Sequence, residues 1–346
     1  MNMNVCYVST SEVERSIRGL KISKALGGEL MGCPSKIHRY TLYPLRVFLK
    51  LLKGRYGLVI VNNIPIHLII PCLLASRMRG FKVMVDFVNL WSAAVKSKYP
   101  WLGRLSHILE ATIYQRVTHG IAINESLSKA VLSLGVGDVT VIYDAAESEV
   151  FTPGYIDAPR ILSVANLRWD EGLDLLLLGL KKLKDKGLSF QCVIIGDGEE
   201  KGKLKRMRDN LGLQREVKFL GWISHEEVPR HMRRCSIGVA PIRNVSPYAL
   251  PIKIFEMLSA GLAVVASDTA NIGAVIEHGK NGLLFQPGNH EMLAAYLEKL
   301  LSDKVLLRRL QHNARMTVES RFSWRRQAEK LREYVEKTTR EKVELS

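Results

Sequence analysis

In the segment SPYALPIKIFEMLSAGLAVVASD, Lys253, Glu256 and Ser259 stand three residues apart on a stretch that is otherwise apolar. Pro251 suits the first turn of a helix and Gly261 the place just past its end, so the spacing predicts a helix from Pro251 to about Ala260, then a strand. The three polar side chains form one narrow stripe, with Ile252, Ile254, Phe255, Met257 and Leu258 covering the rest. Two readings fit the stripe. It is a solvated edge with a weak Lys/Glu pair at i, i+3, or it meets an anionic, hydroxyl-bearing ligand. In the second case Lys253 and the helix N-terminus face the anion and Glu256 accepts hydroxyl protons.

Other residues able to do chemistry also follow strand-like runs. Asn166 and Arg168 lie in SVANLRWDEG, Gly196 in VIIGDGEE, Arg243 in the loop RNVSPYAL, and Asp86 and Asn89 in VDFVNLWS. Arg168 reads as a ligand contact or as a solvated strand end, GDGEE as a cleft-facing turn or a plain tight βα turn, and Asp86 and Asn89 as site residues or helix caps. Arg15 and Arg18 stand at the start of the first helix and read as solvated cations. No D-x-D pair occurs among Asp197, Glu199 and Glu200, and no metal or cofactor is inferred.

These residues are positioned by short β-rich runs that alternate with helical periodicity throughout, from NVCYVST to NGLLF, the pattern of parallel sheets covered by helices. Ligands of such sheets bind beyond the carboxyl ends of the strands. At 346 residues the chain suits two domains of roughly 150 residues each, and Pro153, Gly154 and Pro159 in EVFTPGYIDAPR mark the expected boundary. Composition, 47% hydrophobic and 24% charged, is that of a folded soluble protein. The five scattered cysteines show no zinc or C-x-x-C spacing, which reads as reduced thiols in the cytoplasm. The window from Gly57 holds Asn62, Asn63, His67 and two prolines, so it reads as a buried strand, a turn and a core helix.

A net charge of +16 calls for an acidic partner. LYPLRVFLKLLKGRYG sets Arg46, Lys50 and Lys53 on one face and Leu45, Phe48, Leu49 and Leu52 on the other, and AAVKSKYPWLGRL adds Lys96, Lys98, Tyr99, Trp101 and Arg104. Either is an ordinary surface element or a contact with an anionic membrane. No nucleic-acid module accompanies the charge, and nucleic acid is not expected as a partner.

The segment LPIKIFEMLSAGLAVVASD resembles the donor-binding helix of glycosyltransferase family 4, retaining GT-B enzymes that show E-x7-E followed by A-x-G-x-P-V-V-A. The likeness continues in order through ILSVANLRWDEGLDLLLLGL, VIIGDGEEKGKLKRM, VKFLGWISHEEV, VIEHGKNGLLF and RFSW, and more loosely through VDFVNLWS, EATIYQRVTHGIAINESLSKAV and VTVIYDAAESEVFTPG. It implies an α/β GT-B fold of two Rossmann-like doubly wound domains facing a central cleft. The acceptor domain would be 1–153, the donor domain 154–321 and a C-terminal helix 322–346.

By that resemblance the protein is a metal-independent glycosyltransferase that moves a sugar from a nucleotide-diphosphate sugar, with retention, to a lipid-linked or glycan acceptor. Glu256 matches the ribose-binding glutamate, and Lys253 would stabilise the leaving phosphate. Asn166, Gly196, Arg168, Arg243 and the run Tyr248, Ala249, Leu250, Pro251 and Ile252 would line the donor. Asp86 and Asn89 would stand on the acceptor side. Three departures from the pattern involve four positions: Tyr248 replaces the first glutamate, Asn166 and Glu171 replace an arginine and a lysine on the diphosphate, and Val88 replaces a histidine near the reacting sugar. These departures define two rivals, a pseudoenzyme or partner-binding subunit with a degenerate donor site, and an enzyme using a polyprenyl-phosphate sugar. The expected location is cytoplasmic, at the inner face of the membrane.

Overall fold

The computed structural model describes residues 4–9, 11–12, 16–33, 42–64, 66–243, 247–248, 250–269 and 271–340. Its chain forms two compact units, Met1–Asp144 with Gln327–Ser346, and Ala145–Arg326.

The first unit holds the strands β1 (Val5–Val8), β2 (Glu29–Met31), β3 (Leu58–Asn62), β4 (Lys82–Phe87), β5 (His119–Ala122) and β6 (Asp138–Val141). Its helices are α1 (Ile17–Leu26), α2 (Leu42–Lys53), α3 (Ile69–Arg79), α4 (Trp91–Lys98), α5 (Gly103–Tyr114) and α6 (Glu125–Ser133). All pairings are parallel, in the order β2-β1-β3-β4-β5-β6. Runs such as LVIV in β3 and VMVDF in β4 are buried throughout, as strands covered on both faces must be. The chain moves outward from β1 to β2 and then reverses, so right-handed crossovers put α1 on one face and α2 to α6 on the other. The most apolar window became β3, a short 3-10 turn and α3; no helix among the described residues is long and apolar enough to cross a membrane.

The second unit carries β7 (Arg160–Val164), β8 (Gln191–Ile195), β9 (Val217–Gly221), β10 (Ile237–Ala240), β11 (Ala263–Ser267) and β12 (Leu283–Phe285). Its helices are α7 (Leu173–Asp185), α8 (Lys201–Asn210), α9 (Val228–Met232), α10 (Ile252–Ser259), α11 (His290–Ser302) and α12 (Lys304–Thr317), and α13 (Trp324–Arg340) starts in it. This sheet is also parallel, ordered β12-β11-β10-β7-β8-β9. Leu176, Leu180, Ile194, Val239, Val265 and Leu297 form the middle of its core. Strand order reverses between β7 and β10, and that switch point is where parallel sheets hold ligands.

Three features differ from the sequence reading. EVFTPGYIDAPR lies inside the second unit, where the Arg315 guanidinium on α12 donates to the carbonyls of Ser148 at 2.9 Å and Phe151 at 2.8 Å. From Gln327 onward α13 belongs to the first unit; it buries Leu331 and Val335, and Arg332 Nε donates to the Ala25 carbonyl at 2.8 Å. The packed side of α2 is also not the expected one: Tyr43, Val47 and Leu51 are buried, while Leu45 and Leu49 point outward beside Arg46 and Lys50.

Candidate functional site

The second unit's switch point is built by three loops. After β7, residues 165–172 turn back through Gly172, which has φ +66° and lies so close to the β10 loop that a Cβ would sit 1.9 Å from the Pro241 carbonyl oxygen. After β8, Gly196 at φ +130° comes equally near Ala165, and Leu167 N donates to the Asp197 carbonyl at 2.9 Å. Backbone thus packs on backbone where the strands end. Gly172→Ala is expected to cost about 3 kcal/mol, from left-handed strain plus displacement of the β10 loop, and to abolish any ligand response of this unit. Denaturant unfolding and thermal shift check both.

The polar stripe of α10 is buried, not solvated: Lys253 is 8% exposed, Glu256 4% and Ser259 0%. Nor do Lys253 and Glu256 pair with each other. Lys253 Nζ binds the Glu171 carboxylate, which comes from the β7 loop. His225, in the loop after β9, donates from Nε2 to Glu256 Oε1 at 2.8 Å. Ser259 Oγ donates to the Phe151 carbonyl at 3.2 Å, and Arg315 donates to the Ser259 carbonyl at 2.8 Å. Buried polar groups require partners, and each third residue of the helix finds a different one. Pro251, in extended conformation, precedes the first helical residue Ile252, with Leu250 buried beside it.

The other two cations nominated from sequence are also engaged. Arg243 grips Asp174 with two nitrogens at 2.9 and 2.7 Å, donates to the Trp169 carbonyl at 2.7 Å and lies 4.8 Å over the Trp169 ring. Arg168 pairs with Asp170 through Nε at 2.9 Å. Burial pushes the Asp174 carboxyl up, but Arg243 more than offsets this and leaves it below the usual carboxylate range. The Arg168 hydrogen bond likewise holds Asp170 low. Asn166 is exposed at the end of β7, and its carbonyl accepts from Arg168 N at 2.7 Å. Tyr248 is half-buried, and Ala249 lies outside the described residues.

In chemical terms, the switch point offers a helix N-terminus, one lysine and one carboxylate, each already held by a group from a neighbouring loop. A ligand phosphate reaches Lys253 by competing with Glu171, and a ligand hydroxyl reaches Glu256 by competing with His225. Sequence reasoning missed His225, Asp174 and Arg315; His225 and Asp174 left a signal, as polar residues in the quoted ISHEEV and DEGLDLLLLGL.

In the first unit, Asp86 is fully buried and saturated. Arg18 donates to both its oxygens at 2.8 to 3.0 Å, Tyr7 OH donates at 2.6 Å, and Arg18 also reaches Asp144 at 2.8 Å and the Ile142 carbonyl at 3.0 Å. Burial and the Asp86 charge push the Tyr7 hydroxyl well up. Asn89 Oδ1 accepts from Leu90 N at 2.9 Å, while Glu110, buried on α5, accepts the amides of Trp91 and Ser92 at the start of α4. Asp86 therefore ties β4 to β1 and α1 through Tyr7 and Arg18, Asn89 bonds to its neighbour in the loop after β4, and Arg18 is a buried, paired ion rather than a solvated one. Arg15 lies outside the described residues. Lys96, Lys98 and Trp101 are exposed on and after α4, and Lys50 pairs with Glu29 at 3.3 Å.

Residues 152–317 match the family of glycosyl transferases group 1. The amylovoran biosynthesis glycosyltransferase AmsK of Erwinia amylovora is 31% identical over 167 residues, which are 47% of this chain and 41% of that protein. The chitobiosyldiphosphodolichol beta-mannosyltransferase of Candida glabrata is 24% identical over 306 residues, covering 77% of this chain and 67% of that one. The chain thus spans about two fifths of the first relative. The crystal structure of Anabaena HepE in complex with UDP superposes with a TM-score of 0.79 at 17% identity, over 97% of this chain and 100% of the other, which shows the GT-B fold.

Proposed function

We propose, from the match of residues 152–317 to the glycosyl transferases group 1 family, that the protein transfers a sugar from a nucleotide-diphosphate sugar to an acceptor. The observation that carries this is the buried pair on α10, Lys253 and Glu256, beside a helix N-terminus at the switch point of the second sheet. Lys253 and the first amides of α10 stabilise the departing diphosphate, electrostatic help to a leaving group rather than acid or base chemistry. Glu256 accepts the ribose hydroxyls once His225 releases it. Retention of configuration follows the family 4 pattern, and NMR of the product's anomeric proton tests it. The acceptor is a lipid-linked or growing glycan at the cytoplasmic membrane face, supported by the name of the Candida relative and by the exposed cations Arg46, Lys96 and Lys98 with Trp101.

Thermal shift of the full chain with the uridine, guanosine and adenosine diphosphates and their sugars tests the reading. One base is expected to stabilise the protein by about 2.7 kcal/mol at a hundredfold excess over Kd, with no response in Glu256→Ala. A second reading, a partner-binding subunit without donor chemistry, draws on the Lys253–Glu171 pair, in which a carboxylate occupies the cation meant for phosphate. Silence toward every nucleotide sinks the first reading and leaves this one.

A further inference from the structure

We infer that the outer face of α2 and α3 in the first unit is a docking surface for an anionic bilayer, with a headgroup pocket at its end. This deepens the membrane part of the proposed function and does not depend on the transfer chemistry. Helices α2 and α3 pack against each other, yet each turns a row of large apolar side chains outward. Leu42, Leu45 and Leu49 repeat at i, i+3, i+7, and Ile70, Leu74 and Met78 at i, i+4, i+8, every one of them 43% to 66% exposed. Such rows belong on the buried side of a helix packed on a sheet, and here that side is filled by Tyr43, Val47, Leu51, Ile69, Cys72 and Ala75. Two adjacent apolar rows left in water mark an interaction face.

Charge decides what covers it. Between Glu29 and Asp86 the chain holds nine lysines and arginines and not one carboxylate. Glu29 itself is engaged by Lys50 at 3.3 Å and Tyr56 OH at 2.5 Å. Arg46, Lys53, Arg77 and Arg79 project from the same two helices and are exposed. Leucines that insert among cations that stay at the surface are what a bilayer with anionic headgroups selects. A protein partner would need a matching field of carboxylates around an apolar centre.

Past the C-terminal ends of both helices lies a cavity of about 520 Å³, lined by Asn4, Arg55, Tyr56, Arg79 and Phe81, within the usual size of small-ligand sites. Helix C-termini repel anions, and the two arginines offset that. Their exposed guanidinium groups suit the phosphate of one lipid headgroup and the half-buried Tyr56 its glycerol, held while the neighbouring apolar rows enter the acyl boundary.

Co-sedimentation of the full chain with phosphatidylcholine vesicles containing phosphatidylglycerol, against phosphatidylcholine alone, tests this. The expected result is binding to the anionic vesicles, weakened about tenfold or more in Leu45→Ser/Leu74→Ser and separately in Arg55→Ala/Arg79→Ala. Lys205→Ala/Arg206→Ala, on α8 of the second unit, is the charge-matched control and is expected to bind as the wild type does. All six positions are surface-facing, so the variants fold. Wild-type binding that neither of the first two variants weakens overturns this face and leaves the membrane reading to Lys96, Lys98 and Trp101. No wild-type binding to anionic vesicles overturns both.

Discussion

Asp86→Ala costs the first unit about 3 to 5 kcal/mol, because it strips a buried guanidinium of its counter-ion. Arg18 is 10% exposed and Asp86 0%, so water cannot replace the lost carboxylate. Tyr7 OH loses its acceptor in the same step, and an unsatisfied buried hydroxyl adds to the cost. Arg18 keeps Asp144 and the Ile142 carbonyl, which sets the lower end of the range. Since folded domains are stable by about 5–15 kcal/mol, the loss leaves this unit marginal. Hydrogen-exchange mass spectrometry is expected to show lost protection in peptides of β1 and β4 and native protection in those of β7 and β10. The double variant Asp86→Leu/Arg18→Met recovers part of the loss, as apolar replacement of a whole buried pair does. Unchanged protection in Asp86→Ala would mean that the cluster contributes nothing.

The second large effect concerns Lys253 and Glu171, whose replacements are expected to act in opposite directions. Lys253→Ala removes the one cation on α10, which the proposed function sets beside the leaving diphosphate, and the loss of such a group typically lowers turnover by about 10² to 10³. Glu171→Gln frees the same lysine from its carboxylate and is expected to tighten donor binding about tenfold, a difference of about 1.4 kcal/mol. A lysine that only holds α10 to the β7 loop gives another pattern: both single variants lose stability and neither improves binding. Lys253→Gln/Glu171→Gln separates the cases, since it keeps a neutral hydrogen-bonding pair between α10 and the β7 loop and lacks the charge. Titration calorimetry with the nucleotide, beside turnover, measures both directions, and weaker donor binding in Glu171→Gln would remove Lys253 from the phosphate site.

The alternation of β-rich and helical runs made the doubly wound sheets legible, because strands buried on both faces leave continuous apolar runs such as VMVDF and AVVAS. The helix after SPYAL was legible to within a residue at each end from Pro251 and Gly261. What the pattern did not carry was the identity of the partners. A polar stripe looks the same whether it faces water or polar groups from three other segments, and Lys253, Glu256 and Ser259 turned out to face protein. Asp86 showed the converse: a carboxylate at a strand end reads as a site residue until Arg18, 68 residues away in sequence, is seen to bind it. The packed side of α2 was misread because its apolar residues go nearly all the way round, and only contact with α3 and the sheet fixes which of them turn inward.

The return of α13 to the first unit bears on the order in which this protein can be made. Residues 1–144 leave the ribosome first, yet their unit lacks Leu331, Tyr334 and Val335 until residues 145–326 have also been synthesised. At about 5–20 residues per second that gap lasts roughly ten to forty seconds, with the α13-facing surface of the first sheet uncovered. The half of the chain that is translated first is therefore the last to be finished.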